Sequence, residues 1–295
     1  MQQICLFLLL LLTTVLVVAQ NNTQSYPVYK GNDLGLTYSP KASKFKIWAP
    51  TAKAARINLY ASDFGGVCNR TANMQKAANG VWEITIEHNI KNQYYTFQIL
   101  ISGAWSAELI DPYAKACGTN GVRAQVIDLK ETNPIGWEQD QSPKFSKENK
   151  QTDAVIYELH IRDASIHANS GIQQKGKYLG LTQLGTKNSS GNSTGLSHIK
   201  ELGVTHIHLL PFYDYNSVDE TKSNQYNWGY DPVNYNIPEG SYSTNPADGK
   251  VRIKELKELI KTMHSNGLRI IMDVVYNHTA LTANSNFNTL APDYY

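Results

Sequence analysis

Two hydrophobic patterns divide the chain beyond its N-terminal segment. Between residues 35 and 128 the apolar residues fall in short runs rich in Ile, Val, Tyr, Phe and Trp, separated by Gly, Asn and Pro. Parts of these runs alternate between polar and apolar residues, which is typical of half-buried strands. The pattern predicts strands at 44–50, 55–61, 80–86 and 94–101. Several short strands without a helical period predict an all-β, immunoglobulin-like sandwich over residues 35–130.

A polar segment at 131–152 follows and is interpreted as a linker or a packed connection. Beyond it, strands and helices alternate. Strands are predicted at 153–161, 205–211 and 268–275, and helices at 195–202 and from about 249 to 267. A long loop is expected between Phe212 and Gly249. The second helix has an apolar face formed by Ile253, Leu256, Leu259, Ile260 and Met263. Its other face is expected to be solvated through Lys254, Glu255, Lys257, Glu258 and Lys261.

This alternation of strands and helices predicts right-handed parallel βαβ units over residues 153–295. An open doubly wound sheet and a (β/α)8 barrel both satisfy the pattern. No glycine-rich phosphate loop follows the first strand, which weighs against a nucleotide-binding sheet. Three parallel strands leave exposed sheet edges, so we expect an incomplete domain and an N-terminal fragment.

The composition narrows the function classes. Lys plus Arg total 27 and Asp plus Glu total 25, so the net charge of +2 gives no electrostatic footprint for nucleic acid. Three cysteines exclude a disulfide-dense scaffold and a four-thiolate zinc site. Of these, Cys68 and Cys117 either pair or remain free thiols. The chain is rich in tyrosine, with 18 Tyr against 7 Phe, and such amphipathic rings suit polar, ring-shaped ligands as well as ordinary cores.

The N-terminus resembles an export signal. Residues 4–19 are uncharged and almost entirely apolar, and this stretch is shorter than the ~20 residues that span a bilayer. Val17 and Ala19 supply small residues before a cleavage site at Gln20. We therefore expect a signal peptide at 1–19, a lead segment at 20–34 and a secreted or periplasmic protein without a membrane span after cleavage. An uncleaved anchor and a cell-surface location are the alternatives.

The loop after the second parallel strand carries aromatic and polar residues close together. Tyr226, Trp228 and Tyr230 alternate with Asn227 and Gly229, and Asp231 follows. Loops after the carboxyl ends of parallel strands build ligand sites. Flat rings beside amide and carboxylate groups suit a sugar, and a packed aromatic loop is the alternative interpretation.

A second polar group follows the third predicted strand. Asp273, Asn277 and His278 lie beside the same expected mouth of the sheet. Elsewhere His206 and His208 share one face of a strand, either as a metal pair or as hydrogen-bonded barrel histidines. No third ligand is near them in sequence, so no metal site is predicted. At the end of the first strand a structural salt bridge is expected among His160, Arg162 and Asp163, and a charged cluster at the mouth or bottom of a barrel is the alternative.

These motifs resemble a known family. Residues 226–232 (YNWGYDP) resemble the signature of type I pullulanases in glycoside hydrolase family 13, and residues 273–278 (DVVYNH) resemble the first conserved region of that family. Further blocks resemble the family-48 carbohydrate-binding module and the barrel of these enzymes, at 35–50, 111–121, 132–137, 156–163, 204–211 and 235–243. The heptapeptide argues against isoamylase and branching enzyme, which share the two-domain layout.

The resemblance implies the first three βα units of a (β/α)8 TIM barrel at 153–295, and retaining cleavage of α-1,6 branch linkages in pullulan, amylopectin and related α-glucans. It implies that Tyr230 stacks on the glucosyl unit, that His278 hydrogen-bonds its hydroxyls and that Asp273 holds the local network. Site-shaping roles fall to Tyr226, Trp228, Asp231 and Asn277.

The resemblance also implies what these 295 residues do not contain. The family's nucleophile, its acid/base and a further acid follow later strands, so no catalytic residue is assigned here and the chain alone is expected to be inactive. Neither Glu239 nor Asp231 is a substitute. No cofactor is predicted, and the sequence does not support calcium, although an Asn at the position of Asn277 binds it in some amylases. The alternative is a non-catalytic α-glucan-binding protein that acts through the sandwich.

Overall fold

The N-terminal half of the protein is a two-sheet sandwich. The computed structural model describes residues 26–144 and 150–295, so the predicted signal at 1–19 lies outside the described residues. The strands of this half, in chain order, are β1 (Gly35–Tyr38), β2 (Ser43–Trp48), β3 (Ala54–Tyr60), β4 (Arg70–Asn73), β5 (Gln75–Lys76), β6 (Val81–Ile86), β7 (Tyr94–Ile101), β8 (Ala104–Trp105) and β9 (Ala124–Gln125). The four predicted strands are confirmed as β2, β3, β6 and β7.

The two sheets enclose one apolar core. One sheet has the order β1-β2-β6-β5, and the other has the order β4-β3-β7-β8 with β9 also paired to β7. Alternation along β2 buries Phe45 and Ile47 while Lys44 and Lys46 remain partly exposed. Phe45 packs edge-to-face on Tyr95 of the facing sheet, with ring centroids 4.8 Å apart. The alternation read from the sequence therefore defines the inner face.

The second half contains a parallel sheet covered by helices. Its elements are β10 (Ile156–Leu159), α1 (Asp163–Ile166), α2 (Gly195–Glu201), β11 (His206–Leu209), β12 (Tyr213–Tyr215), β13 (Pro232–Pro238), α3 (Gly249–Ser265), β14 (Arg269–Met272) and α4 (Asn286–Leu290). The strands β10, β11 and β14 are parallel neighbours in that order. They confirm the three predicted strands in shortened form, and α2 and α3 confirm the two predicted helices. None of the helices in the described ranges is long and apolar enough to cross a membrane.

The parallel sheet has one apolar face and one polar face. Ile207 and Leu209 are fully buried in a cluster with Leu196 of α2 and Leu259 of α3. The alternate residues of β11, which include His208, face the other side and remain partly exposed. The ends of the strands therefore present polar residues on the side away from the helices.

The prediction of a long loop between Phe212 and Gly249 is wrong in part. Its two ends form an antiparallel hairpin of β12 and β13, which pairs Tyr213 with Pro238 and Asp214 with Asn234. Burial of Tyr213 and Tyr215 stabilises this hairpin. The pairing was not predicted because β12 is only three residues long and a polar loop of 16 residues separates it from β13.

The prediction that the polar face of α3 is solvated is also wrong in part. Glu255 is buried and accepts a hydrogen bond from the Thr244 amide at 2.9 Å. The Lys257 ammonium donates to the Thr132 hydroxyl at 2.8 Å, and His264 Nδ1 lies 2.7 Å from Asp140. The physical reason is that two segments pack on this face of the helix: the loop before α3 contacts Glu255, and the segment leaving the sandwich contacts Lys257 and His264. The described part of the predicted linker is accordingly a packed connection.

Candidate functional site

The heptapeptide 226–232 forms a tight turn that leads into β13. Gly229 has φ of +90°, and a Cβ at this position would lie 2.7 Å from the Pro211 carbonyl oxygen, so only glycine fits. The Asn227 side chain closes the turn: its Oδ1 accepts from the Gly229 amide at 3.0 Å, and its Nδ2 donates to Asp231 Oδ1 at 2.7 Å. Asn227 and Asp231 therefore hold the backbone that carries Tyr230.

The turn brings Tyr230 against the segment that follows β14. The Tyr230 hydroxyl donates to Asp273 Oδ2 at 2.6 Å, and His278 Nε2 lies 2.7 Å from the Tyr230 carbonyl oxygen. Since only a protonated ring nitrogen can donate to a carbonyl, Nε2 carries the hydrogen and Nδ1 accepts from Asn277 Nδ2 at 3.0 Å. The three residues predicted to bind substrate are thus joined directly, although they come from two segments more than forty residues apart.

The electrostatics of this group keep the Tyr230 phenol neutral. Burial raises its pKa, the hydrogen bond to Asp273 adds to this, and the pKa reaches about 12. Asp273 also lies near an imidazole, with His208 Nε2 3.7 Å from its Oδ2. On its other side His208 Nδ1 is 3.4 Å from Glu158 Oε2, while His206 Nδ1 lies 2.8 Å from the Thr205 hydroxyl. The two histidines therefore have separate polar partners and do not converge on one point.

Three aromatic rings of the heptapeptide remain accessible. Tyr226, Trp228 and Tyr230 are each more than a third exposed. Tyr226 is anchored at one edge, with its ring centroid 5.3 Å from that of His160 and 5.4 Å from the Arg162 guanidinium carbon. The Trp228 indole N–H donates to the Tyr226 hydroxyl. A sugar-binding surface combines aromatic rings for stacking with groups that hydrogen-bond hydroxyls, and this surface has both.

His160, which sequence reasoning assigned to a salt bridge, also has contacts that were not predicted. Its Nε2 lies 2.9 Å from the Asn227 carbonyl oxygen and 2.9 Å from the Tyr242 hydroxyl, while its Nδ1 accepts from the Asp163 amide at 3.2 Å. The predicted ion pair is present, with Arg162 2.9 Å from Asp163. A His at the end of a parallel strand was the available signal, but its partners are far away in sequence.

A buried acidic cluster lies behind the hairpin. Asp214, Glu220 and Glu239 present carboxylate oxygens within 4.8 Å of one another, a spacing that can hold a metal ion. The fully buried Arg252 guanidinium occupies this centre, 3.2 Å from Asp214 and 2.7 Å from Glu220. Burial raises the pKa of Glu239, the neighbouring acids raise it further, and it reaches about 8. An enclosed cluster neutralised by arginine has the character of a structural ion network rather than a substrate site.

The remaining polar predictions have simple outcomes. Cys68 is exposed and Cys117 is buried, and both are free thiols. Asn277 is exposed and contacts His278 through its side chain. Glu239 is only 1% exposed, and its carboxylate accepts from the amides of Tyr215 and Ser241.

Comparisons with known proteins agree with this architecture. Residues 133–291 match the alpha amylase catalytic domain, and residues 33–114 match carbohydrate-binding module 48, the isoamylase N-terminal domain. The pullulanase of Bacillus subtilis (strain 168) is 42% identical over 271 residues, which cover 90% of this chain and 36% of that protein. A sandwich followed by part of a TIM barrel fits these relatives, which favours the barrel over an open sheet.

Solved structures give the same result. The crystal structure of the pullulanase from Paenibacillus barengoltzii, in complex with maltohexaose and alpha-cyclodextrin, has a TM-score of 0.87 and 50% identity, over 91% of this chain and 41% of that chain. The pullulanase from Bacillus acidopullulyticus has a TM-score of 0.85 and 45% identity, over 91% and 32%. The chain thus spans less than half the length of these relatives. The chain belongs to the alpha-amylase family of glycoside hydrolases and, like the type I pullulanases, carries a family-48 module before that catalytic domain.

Proposed function

We propose that the protein is a debranching enzyme that hydrolyses α-1,6-glucosidic linkages in pullulan, amylopectin and related α-glucans. The observation that carries the proposal is the group of Tyr230, Asp273 and His278, which are hydrogen-bonded together beside the carboxyl ends of the parallel strands. Its support is the similarity to pullulanases over both halves of the chain.

In this proposal the site binds a sugar by stacking on an aromatic ring and by hydrogen bonds to polar atoms. The exposed Tyr230 ring stacks on the glucosyl unit at the bond to be cut, and Asp273 fixes the ring through its hydroxyl. Both nitrogens of His278 already have protein partners, so His278 must exchange one of them for a sugar hydroxyl. Substrate binding therefore involves a small rearrangement of the His278 ring or of Asn277.

Cleavage with retention requires a nucleophilic carboxylate and an acid/base carboxyl about 5–5.5 Å apart. Within the described ranges, Asp273 accepts a hydrogen bond from Tyr230, and Asp231 accepts one from Asn227. The carboxylates of Asp214, Glu220 and Glu239 are buried around Arg252. Because the catalytic carboxylates follow later strands in the family that these motifs resemble, we propose that both lie outside these residues and that residues 1–295 alone do not hydrolyse glucan.

The test is pullulan hydrolysis by the protein as its source produces it, after its intact mass has been measured. Release of reducing ends from pullulan, with a drop of at least tenfold in kcat/KM for Tyr230→Ala, is expected because a stacking ring at the reacting sugar is lost. The matched control is Phe64→Ala, which removes an exposed ring from the sandwich. Absence of hydrolysis by a native protein whose mass exceeds that of residues 1–295 refutes the enzyme assignment, and hydrolysis by purified 1–295 refutes the inactivity of this segment.

A second candidate function is non-catalytic binding of α-glucan through the sandwich. The observation in its favour is Trp105, an exposed ring on β8. The Arg56 guanidinium carbon lies over this ring, 4.1 Å from its centroid. Retention on insoluble amylopectin that is lost in Trp105→Ala and kept in Phe64→Ala supports this function. Equal retention of both variants contradicts it.

We also propose that the protein is exported. The support is the uncharged stretch at 4–19 with small residues before Gln20. N-terminal sequencing of the native protein is expected to begin at Gln20, and an intact Met1 terminus contradicts cleavage.

A further inference from the structure

A second aromatic surface adjoins His278 on the side facing the sandwich. We name it the tyrosine groove and define it by Tyr113, Tyr235, Tyr276, Phe287, Tyr294 and Tyr295. It encloses a cavity of about 380 Å³, and His278 is also in its wall. None of the heptapeptide rings belongs to it, so it is distinct from the surface formed by Tyr226, Trp228 and Tyr230.

The floor of the groove is tied to the candidate site. The Tyr235 hydroxyl donates to the His278 carbonyl oxygen at 2.8 Å. The Tyr235 ring packs on Tyr213 with centroids 5.5 Å apart, and on Tyr276 with centroids 5.6 Å apart. Because Tyr213 is buried, this contact fixes the floor to the core of the hairpin. The floor is therefore preorganised and continuous with the residues around Tyr230.

The walls of the groove come from both halves of the protein. Tyr113 belongs to the exit of the sandwich, whereas Phe287 and Tyr294 follow β14 and stack with ring centroids 5.0 Å apart. The two walls are joined near the floor, where Asn236 Nδ2 donates to the Pro112 carbonyl oxygen at 3.0 Å. The groove therefore requires the sandwich and the barrel segment to be held together.

The chemistry of the groove selects a neutral ligand. No Asp, Glu, Lys or Arg lines it among the described residues. Four of its tyrosines, Tyr113, Tyr276, Tyr294 and Tyr295, are 46–76% exposed, and Tyr276 is the most exposed at 76%. Flat rings with hydroxyl edges, without charge, suit the apolar faces and hydroxyl rims of glucose units.

We propose that the tyrosine groove binds a further part of the same α-glucan chain that occupies the Tyr230 site. This inference rests on the proposed function for its ligand class, and its content is new: an outer subsite shared by the sandwich and the barrel. The chain passes from Tyr230 over His278 and onto Tyr276 and Tyr113. The sandwich thereby contributes directly to substrate length preference.

The test compares oligosaccharides of two lengths on the full-length protein as its source produces it. Tyr113→Ala and Tyr276→Ala are each expected to raise the Kd for maltohexaose about fivefold to tenfold, as the loss of one stacked ring does. Maltotriose is expected to fill only the Tyr230 site, so its Kd should change less than about twofold. Tyr276→Phe retains the ring and is expected to retain affinity. Phe64→Ala is the control for removal of an exposed ring elsewhere.

The outcomes separate this inference from the proposed function. An unchanged maltohexaose Kd in both alanine variants overturns the outer subsite, whether or not pullulan is hydrolysed. Loss of thermal stability in these variants without a change in Kd also overturns it, since the groove is then an internal contact covered by another part of the protein. A length-dependent loss of affinity in a protein that does not cleave pullulan supports the subsite and refutes the enzyme assignment alone.

Discussion

At the scale of single residues, the sequence identifies the groups of the candidate site but not all of their supports. Tyr230, Asp273 and His278 could be predicted to meet because they follow the carboxyl ends of neighbouring parallel strands. His160 also follows such a strand, β10, but its partners Asn227 and Tyr242, which are 67 and 82 positions away, could not be predicted. Such contacts depend on the path of the long loop, which carries no short periodic pattern.

A variant of Gly229 tests whether the turn positions Tyr230. Gly229→Ala is expected to destabilise the protein by about 1–3 kcal/mol and to weaken maltotriose binding, because a Cβ there clashes with Pro211 at positive φ. Chemical denaturation and calorimetric titration measure the two effects. The control is Gly136→Ala, which has a similar φ of +80° and no atom within 4 Å of the added Cβ. Equal losses of affinity in both variants contradict the steric argument.

A variant of His160 tests whether its contacts with Asn227 and Tyr242, which were not predicted, support the heptapeptide. His160→Leu leaves the buried Tyr242 hydroxyl and the Asn227 carbonyl without this partner, so we expect a loss of about 1–3 kcal/mol in the free energy of unfolding. Because Asn227 holds the heptapeptide, maltotriose affinity should also fall. Tyr242→Phe removes only one of the two partners and should preserve affinity while losing some stability. Normal affinity in His160→Leu contradicts the positioning role.

At the scale of elements, helix α3 shows the limit of periodicity. The apolar stripe correctly predicts Leu259 and Met263 in the core. Periodicity reports only which residues are polar, however, and it does not report whether another segment covers the polar face. Here the exit of the sandwich packs on that face, through contacts between residues more than 120 positions apart. The short strand β12 was missed for a related reason, since its partner is also distant.

Lys257 and Lys254 provide a matched comparison on α3. Lys257 donates to Thr132 and lies 5.3 Å from the centre of the Trp137 ring, whereas Lys254 is exposed. Lys257→Ala is expected to cost about 1–2 kcal/mol in urea denaturation, since a charged donor to a packed segment is removed. Lys254→Ala should change stability by less than about 0.5 kcal/mol. Equal effects would contradict a stabilising role for the contacts of Lys257 with this segment.

At the scale of the whole molecule, Arg252 joins the sandwich to the barrel segment. Its Nη2 donates to the Gly118 carbonyl oxygen at 2.7 Å and to Glu220 at 2.7 Å. Asn120 and Glu220 exchange two further hydrogen bonds, at 2.6 and 2.7 Å. The tyrosine groove depends on this junction because its walls come from both halves. Hydrophobic patterns predicted the two halves separately, but a junction made of buried polar groups has no periodic signal.

This junction predicts a specific pH dependence of stability. The pKa of Glu239 in the folded protein is about 8, raised by burial and by Asp214 and Glu220, and it is therefore above the ordinary value of 4.5. The folded state then binds more protons at Glu239 than the unfolded state between these values, so the contribution of Glu239 to stability is fully present below pH 4.5 and is lost as pH rises toward 8. The slope is at most about 1.4 kcal/mol per pH unit for one proton.

Glu239→Gln removes this titration while keeping an uncharged side chain of the same shape. Between pH 6.5 and 8 its free energy of unfolding should fall less steeply than that of the unchanged protein. This window lies above the raised pKa of the buried Asp111, which is about 6, so the two carboxyls are separated. The exposed Glu87→Gln serves as the control and should retain the original slope. Parallel slopes in all three proteins would show that Glu239 is already ionised at pH 6.5, and that Arg252 alone compensates three buried carboxylates.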